Sequence, residues 1–125
     1  MKTIRQHHFI KATPEEVFTA ITNPFTIELW SGYPAQMEAK EGAEFSIFEG
    51  DIAGRNIKIT ENKELVQEWY FGDRQEESIV TISLKPHQLG TKVTLEHTNV
   101  PDEEIEEFEE GWSVSYWGAI KDFFK

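Results

Sequence analysis

The polar side chains best suited to acid–base or ligand chemistry are those that the sequence pattern turns toward an apolar interior. His97 has the same strand parity as Val93 and Leu95 and is therefore predicted to point inward. A histidine in that position can transfer protons near neutral pH or hold a ligand. The alternative is a structural histidine that bonds to water or to a strand carbonyl, and the sequence leaves both roles open.

Two charged residues are turned toward the same interior by the periodicity of their elements. Glu109 is the one acidic residue that falls on the apolar stripe of the last predicted helix, and Arg55 shares strand parity with Ile57 and Ile59. A buried guanidinium needs an anion, so an inward-facing Arg55 could pair with Glu109 or with a ligand carboxylate. The alternatives are that Glu109 overhangs the sheet edge into water and that Arg55 is an ordinary surface residue.

Large rings are frequent and could line a cavity around these polar groups. The chain has nine Phe, four Trp and three Tyr in 125 residues. A small domain must either pack such rings together or use them to surround a ligand. A filled aromatic core is the alternative to a cavity. The predicted lining is aromatic: Trp30, Tyr33, Phe45, Trp69, Phe71, Trp112 and Tyr116.

Several other kinds of site are disfavoured by the sequence. There is no cysteine, and the serines, Ser78 among them, have no base beside them in the sequence. His7 and His8 are adjacent, so on a strand they face opposite ways and cannot chelate one ion. No spacing typical of zinc ligands or of a phosphate loop occurs. We therefore predict no metal, no cofactor and no catalytic nucleophile.

Length and charge narrow the class of protein further. The length predicts one domain over residues 1–125, with room for one core. A formal net charge of −11 disfavours binding to nucleic acid and to anionic membranes. The amino-terminal residues contain no apolar signal segment, and no apolar run is long enough to cross a bilayer. We expect a cytoplasmic protein.

A capped pair of short helices follows the first predicted strand, Lys2–Ala12. Thr13 can accept hydrogen bonds at the helix N-cap, Pro14 suits the first helical position, and Glu16 completes a capping box. Asn23 then ends this helix and can cap a second helix over residues 25–30. This order of strand, helix and helix, followed by many strands, is uncommon and indicates the architecture of the domain.

The rest of the chain predicts a meander of strands and then one long helix. With the first strand, the alternating segments make about seven antiparallel strands: 36–39, 44–49, 53–60, 64–71, 78–84 and 91–97, with a loop at 72–74. The last helix carries an apolar stripe of Ile105, Phe108, Trp112, Tyr116, Ala119, Ile120 and Phe123. We expect it to lie across the concave face of the sheet.

A second apolar flank is predicted on the same helix. Val114, Trp117 and Phe124 project away from the main stripe, beside Gly111 and Gly118. Small residues next to large apolar ones allow another surface to approach closely. The flank therefore indicates either a weak homodimer or partner surface, or cover by the first strand or the short helices within the same chain.

Short segments along nearly the whole chain resemble one known family. They are Ala12–Phe18, Thr22–Pro24, Leu29–Trp30, Glu41–Phe45, Gly50–Gly54, Leu65–Trp69, Gly90–Leu95, Asn99–Pro101 and Gly111–Trp112. In this order they look like the activator of heat-shock protein 90 ATPase homologue (AHSA-type) family of the START-like/SRPBCC superfamily. The resemblance implies an α+β helix-grip fold and a connection to the stress response. It also implies a chaperone partner for the larger members, in which this domain accompanies another module.

Three functions follow as hypotheses. The first is non-enzymatic binding of a small hydrophobic ligand between the sheet and the C-terminal helix. The second is a protein-interaction module of the co-chaperone type, which uses its surface. The third is a cyclase or hydratase of the kind found on this fold, with His97 and Glu109 as acid–base residues. A cavity larger than about 300 Å³ favours the first or the third, whereas a filled core with an apolar surface patch favours the second.

Overall fold

The structure is a computed structural model that describes residues 1–71 and 77–125, and its largest element is an antiparallel sheet. The loop predicted at 72–74 lies outside the described residues. The six strands of the sheet are β1 (Lys2–Ile10), β2 (Glu44–Ile47), β3 (Ile52–Thr60), β4 (Glu64–Trp69), β5 (Ser78–His87) and β6 (Gly90–Val100).

The strands are arranged in the spatial order β1-β6-β5-β4-β3-β2 in one curved sheet. The first strand lies beside the last, where Ile10 pairs with Thr91. The prediction of about seven strands is wrong by one. Residues 36–39 form only an isolated bridge between Gln36 and Ser46, because the segment turns away before a ladder can form.

Two capped helices connect β1 to β2, as predicted. The first, α1 (Pro14–Thr22), begins with a complete capping box in which the side chains and backbones of Thr13 and Glu16 bond reciprocally. In the second, α2 (Pro24–Ser31), the Asn23 side chain accepts hydrogen bonds from two backbone N–H groups. These caps satisfy amides that would otherwise lack partners, so each helix is stable despite its small length.

The C-terminal helix contains a π-helical turn that the sequence pattern did not predict. After a single 3₁₀ turn (Asp102–Glu104), α3 (Ile105–Glu110) leads through the π turn (Gly111–Tyr116) into α4 (Trp117–Phe123). The Trp117 N–H donates to the carbonyl of Trp112, five residues earlier. At 100° per residue these two indoles would lie about 140° apart, but the wider turn brings both to the interior.

Trp117 therefore belongs to the core, and of the two alternatives for this flank, cover within the same chain is the one found at this residue. Its side chain is completely buried and stacks on His8 of β1 with the ring centroids 5.9 Å apart. Helix α4 also contacts α2. Strand β1 and the short helices thus cover the flank within the chain, and only Val114 remains strongly exposed there.

A bulge in β3 overturns the predicted orientation of Arg55. The pairing of β3 with β4 shifts between Asn56 and Lys58, so that Asn56 is buried and Arg55 faces solvent. There the Arg55 Nε donates to Glu68 at 2.9 Å. A bulge inserts one residue and reverses the parity on its two sides, which is why alternation with Ile57 and Ile59 misplaced the guanidinium. No helix in the described part of the chain is both long and apolar enough to span a membrane.

Candidate functional site

An open cleft of about 840 Å³ lies between the C-terminal helix and the hairpin that joins β2 to β3. One wall is the hairpin, residues 48–52, and the other is the helix from Glu104 to Tyr116. Trp69 of β4 and Tyr33, which follows α2, also line the cleft. The wide opening distinguishes the cleft from an enclosed chamber between sheet and helix.

The base of the cleft is built from stacked rings. The indoles of Trp69 and Trp112 stack with their centroids 4.7 Å apart, and Tyr116 lies 4.7 Å from Trp112. Phe108 adds a tilted ring 6.3 Å from Trp69. Such offset and tilted contacts stabilise the cluster beyond simple burial. The cleft therefore has a preformed, apolar floor.

The rim of the cleft is acidic. Among the described residues that line it, five are acidic and none is lysine, arginine or histidine. Two of the carboxylates belong to the hairpin and three to the helix: Glu49, Asp51, Glu104, Glu107 and Glu110. Within the described parts of the chain, no three His, Asp or Glu side chains converge as metal ligands. The carboxylates therefore form a distributed negative border.

The hairpin wall holds an unusual backbone. Phe48 and Glu49 have φ angles of 53° and 56°, followed by Gly50 at 89°. Non-glycine residues rarely adopt this left-handed region, and for a ring as bulky as phenylalanine it costs free energy. The conformation turns the Phe48 ring toward Trp30, 6.0 Å away, and leaves Glu49 at the rim.

His97 lies behind the aromatic floor and is completely buried. The Trp112 Nε1–H donates to His97 Nδ1 at 3.0 Å, so Nδ1 must be an acceptor and the ring proton resides on Nε2. This Nε2–H donates to the hydroxyl of Ser78 at 2.8 Å, which donates in turn to the carbonyl of Thr98. Every polar atom of the imidazole is therefore satisfied in its neutral form.

The environment of His97 is not that of a catalytic base. Burial lowers the pKa of His97 to about 4, so the ring stays neutral. Because Nε2 carries the proton, it cannot accept one from Ser78, although the two atoms are in contact. The Ser78–His97 pair, which the sequence did not reveal, therefore connects β5, β6 and the helix as a structural link.

A second buried polar chain supports the other side of the floor. Trp69 Nε1–H donates to Gln67 at 3.0 Å, Gln67 donates to Asn56 at 2.9 Å, and Asn56 donates to the carbonyl of Glu38 at 2.8 Å. The indole N–H groups of Trp69 and Trp112 are thus both fixed from behind. Their rings are held rigidly at the base of the cleft.

The ten predicted cavity residues fall into three groups. Four of them line the cleft: Tyr33, Trp69, Trp112 and Tyr116. Four lie behind or beside it, buried or half-buried: Trp30, Phe45, Phe71 and His97. The inward positions predicted for the remaining two are wrong, because Arg55 and Glu109 are both exposed.

The prediction for Glu109 is wrong because this residue does not line the cleft, although Glu110, the next residue along the helix, does. Its carboxylate faces solvent, and its backbone carbonyl accepts a hydrogen bond from Gln6 of β1 at 3.0 Å. The neighbours Glu107 and Glu110 line the cleft instead. The predicted acid–base pair of His97 and Glu109 is therefore not formed.

The sequence reasoning missed the hairpin wall and the acidic rim. The predicted strand 44–49 ends at Ile47 in the structure, so that residues 48 and 49 belong to the hairpin wall, and the pattern of acidic residues at 102–110 predicts no rim. The spacing of Glu104, Glu107 and Glu110 was the available signal, because residues three apart lie on one side of a helix.

Fold and site together define a class: an α+β helix-grip domain with an open, acidic-rimmed aromatic cleft beside its C-terminal helix. The chain belongs to the family described as Activator of Hsp90 ATPase homolog 1-like protein, whose family model matches residues 11–125. The resemblance drawn from the sequence motifs is thereby confirmed.

Two curated relatives carry the name of activators of the 90 kDa heat shock protein ATPase. The Homo sapiens homolog 1 is 27% identical over 114 residues, which are 90% of this chain and 34% of the relative. The Dictyostelium discoideum homolog is 28% identical over 126 residues, 98% of this chain and 33% of the relative. The chain thus spans about a third of the length of the curated relatives it matches.

Two solved structures have the same architecture. The crystal structure of an HSP90 activator from Plasmodium falciparum superposes with a TM-score of 0.87 at 28% identity, covering 97% of this chain and 94% of that one. The solution structure of the Aha1 dimer from Colwellia psychrerythraea gives 0.86 at 21% identity, covering 99% and 96%. At that lower identity the likeness concerns the fold alone.

Proposed function

We propose that this chain is a non-catalytic binding module of the co-chaperone type, which docks a segment of an Hsp90-class chaperone in its open cleft. The observation that carries the proposal is the opening of the cleft along the helix, where the half-buried ring of Phe108 and the exposed ring of Tyr33 are accessible to a partner side chain above the buried rings of the floor. The buried, neutral His97 offers no proton to a substrate there. The names of the relatives supply the class of partner.

Tyr33 is the residue best suited to test this docking surface. Its ring lines the cleft and is 45% exposed, so its removal disturbs little of the core. Tyr70 is a matched control, because it is 44% exposed and does not line the cleft. Tyrosine is enriched among the interface residues whose truncation costs more than about 1 kcal/mol of binding free energy.

The experiment is a titration of the Hsp90-class chaperone from the same host into the protein, followed by calorimetry. We expect saturable binding that Tyr33→Ala weakens about tenfold or more, which corresponds to about 1.4 kcal/mol. Tyr70→Ala should change the affinity by less than about threefold. Absence of binding by the folded wild type at high micromolar concentration would overturn the proposal, and so would equal effects of the two variants.

A small hydrophobic ligand is the second candidate, and the volume of the cleft favours it. About 840 Å³ lies within the range of sites that hold drug-sized molecules. Native mass spectrometry of protein purified from its own host would reveal a retained ligand and the stoichiometry. An apolar fluorescent probe should then bind saturably and compete with that ligand. Failure of the probe to bind below millimolar concentration would eliminate this candidate.

A further inference from the structure

The acidic rim carries negative charge that nothing in the described chain neutralises. No ion pair is described for Glu49, Glu107 or Glu110, all three of which are exposed. On the helix, Glu104, Glu107 and Glu110 follow each other at intervals of three, so neighbouring carboxylates repel one another. Glu49 and Asp51 face them from the hairpin. A cationic occupant would relieve this repulsion from both walls.

The floor beneath the rim suits the apolar part of such an occupant. The half-buried ring of Phe108 and the exposed ring of Tyr33 present apolar surface to an occupant, and Trp112 is buried beneath them. Lysine and arginine side chains lay their methylene stems on apolar surface while their charged ends reach carboxylates, and their cations are attracted to aromatic faces. The rim therefore favours a ligand with positive charge, and the floor favours apolar surface on the same ligand.

The length of the cleft indicates an extended peptide. The helical wall runs from Glu104 to Tyr116, about 18 Å at 1.5 Å per residue. An extended strand rises about 3.3 Å per residue, so five or six residues match this length. Alternate side chains of an extended segment point to opposite sides, which would direct one set to the floor and leave the other at the rim.

We infer that the cleft binds an extended segment of a partner protein, five or six residues long, in which basic and apolar side chains alternate. This inference rests on the proposed function and gives the docked segment its chemistry. The spread of the five carboxylates over two walls fits several cationic side chains and not a single metal ion. The charge complementarity also predicts fast, salt-dependent association.

The test uses fluorescein-labelled hexapeptides and fluorescence anisotropy on the whole chain. The probe is Lys-Leu-Lys-Leu-Lys-Leu, compared with a Lys-Ser and a Glu-Leu hexapeptide of the same alternation. We expect saturable binding of the Lys-Leu peptide, binding of the Lys-Ser peptide at least about tenfold weaker, and none of the Glu-Leu peptide. Raising the salt from about 20 to 300 mM should weaken the complex about tenfold or more, since exposed charges are then screened.

Charge-matched variants distinguish peptide binding at the rim from general attraction to the net negative charge of the chain. The rim variant carries Glu49→Gln, Glu107→Gln and Glu110→Gln, and the control carries Glu28→Gln, Glu61→Gln and Glu106→Gln. All six residues are exposed, so both variants should fold, and both lose three negative charges. The rim variant should bind the Lys-Leu peptide about tenfold or more weakly, whereas the control should stay within about threefold of the wild type.

Several outcomes would overturn the inference. Equal binding of the Lys-Leu and Lys-Ser peptides, or equal losses in the two variants, would show attraction to net charge without a site. Binding of the Glu-Leu peptide would show that charge is irrelevant. Peptide binding without chaperone binding would refute the proposed partner and retain the cleft specificity. Chaperone binding that the rim variant does not weaken would refute the cleft specificity and retain the partner.

Discussion

The burial of His97 predicts that lowering the pH destabilises the fold before most carboxylates titrate. Burial lowers the pKa of His97 to about 4, against an ordinary value of 6.5 for an exposed imidazole. A group with a depressed folded pKa binds fewer protons when folded than when unfolded. Between these two values, acid therefore favours the unfolded chain, and the stability present above pH 6.5 is lost as the pH falls toward 4.

The magnitude follows from the two pKa values. Between pH 7 and pH 5, the linkage relation gives a loss of about 2 kcal/mol from His97 alone. His8 contributes in the same direction, because burial and the nearby Lys121 lower its pKa to about 4 as well. Relief of self-repulsion in a chain of charge −11 acts in the opposite direction. Variants are therefore needed to isolate the contribution of each histidine to the pH dependence of the free energy of unfolding.

The assay is urea unfolding at pH 7 and pH 5 of the wild type, His97→Gln, His8→Gln and the double variant. Glutamine does not titrate, and its amide can still accept from Trp112 at position 97. The wild type should lose about 2 kcal/mol more than His97→Gln over this interval. A difference below about 0.5 kcal/mol, with both proteins folded at pH 7, would refute a buried neutral His97. His8→Gln reports the other histidine separately.

Two further predictions concern the C-terminal helix. A Cβ on Gly118 would lie 2.7 Å from the carbonyl of Ser113 in the π turn, whereas one on Gly111 meets nothing within 4 Å. Gly118→Ala should thus lower the free energy of unfolding, measured in denaturant melts, by about 1–3 kcal/mol. Gly111→Ala should leave this free energy unchanged or raise it by up to about 1 kcal/mol. Equal effects of the two variants would contradict the π turn. Trp112→Ala should cost about 3–5 kcal/mol, because it removes a buried indole and the donor to His97. A loss below about 1 kcal/mol would mean that Trp112 is not part of the core.

The order of elements and the caps could be predicted from the sequence, because each rests on local chemistry. Thr13 and Glu16 form their capping box from residues three apart, and the alternation of Val80, Ile82 and Leu84 defines a buried face of β5 without long-range information. The neighbour of β1 needed the structure, because pairing β1 with β6 joins the two ends of the strand order along the chain and has no local signal.

The errors all arise where the regular period of an element is interrupted. The bulge after Asn56 moved Arg55 to the outer face, and the π turn moved Trp117 to the interior while Phe123 became 40% exposed. Period-based projection cannot detect an inserted residue, because the insertion is favoured by tertiary contacts, such as that between Trp117 and His8. The cleft was missed for a related reason: its two walls are brought together only by the folded sheet.

The stacked indoles of Trp69 and Trp112 also have an optical consequence. Two such chromophores 4.7 Å apart, with 23° between their planes, share their electronic excitation. The pair should therefore produce a split band in the circular dichroism of the folded chain, whose amplitude depends on the angle and separation of the rings. Since both rings belong to the cleft floor, a bound molecule that shifts either one would alter this band. The protein thus contains its own label-free reporter of occupancy.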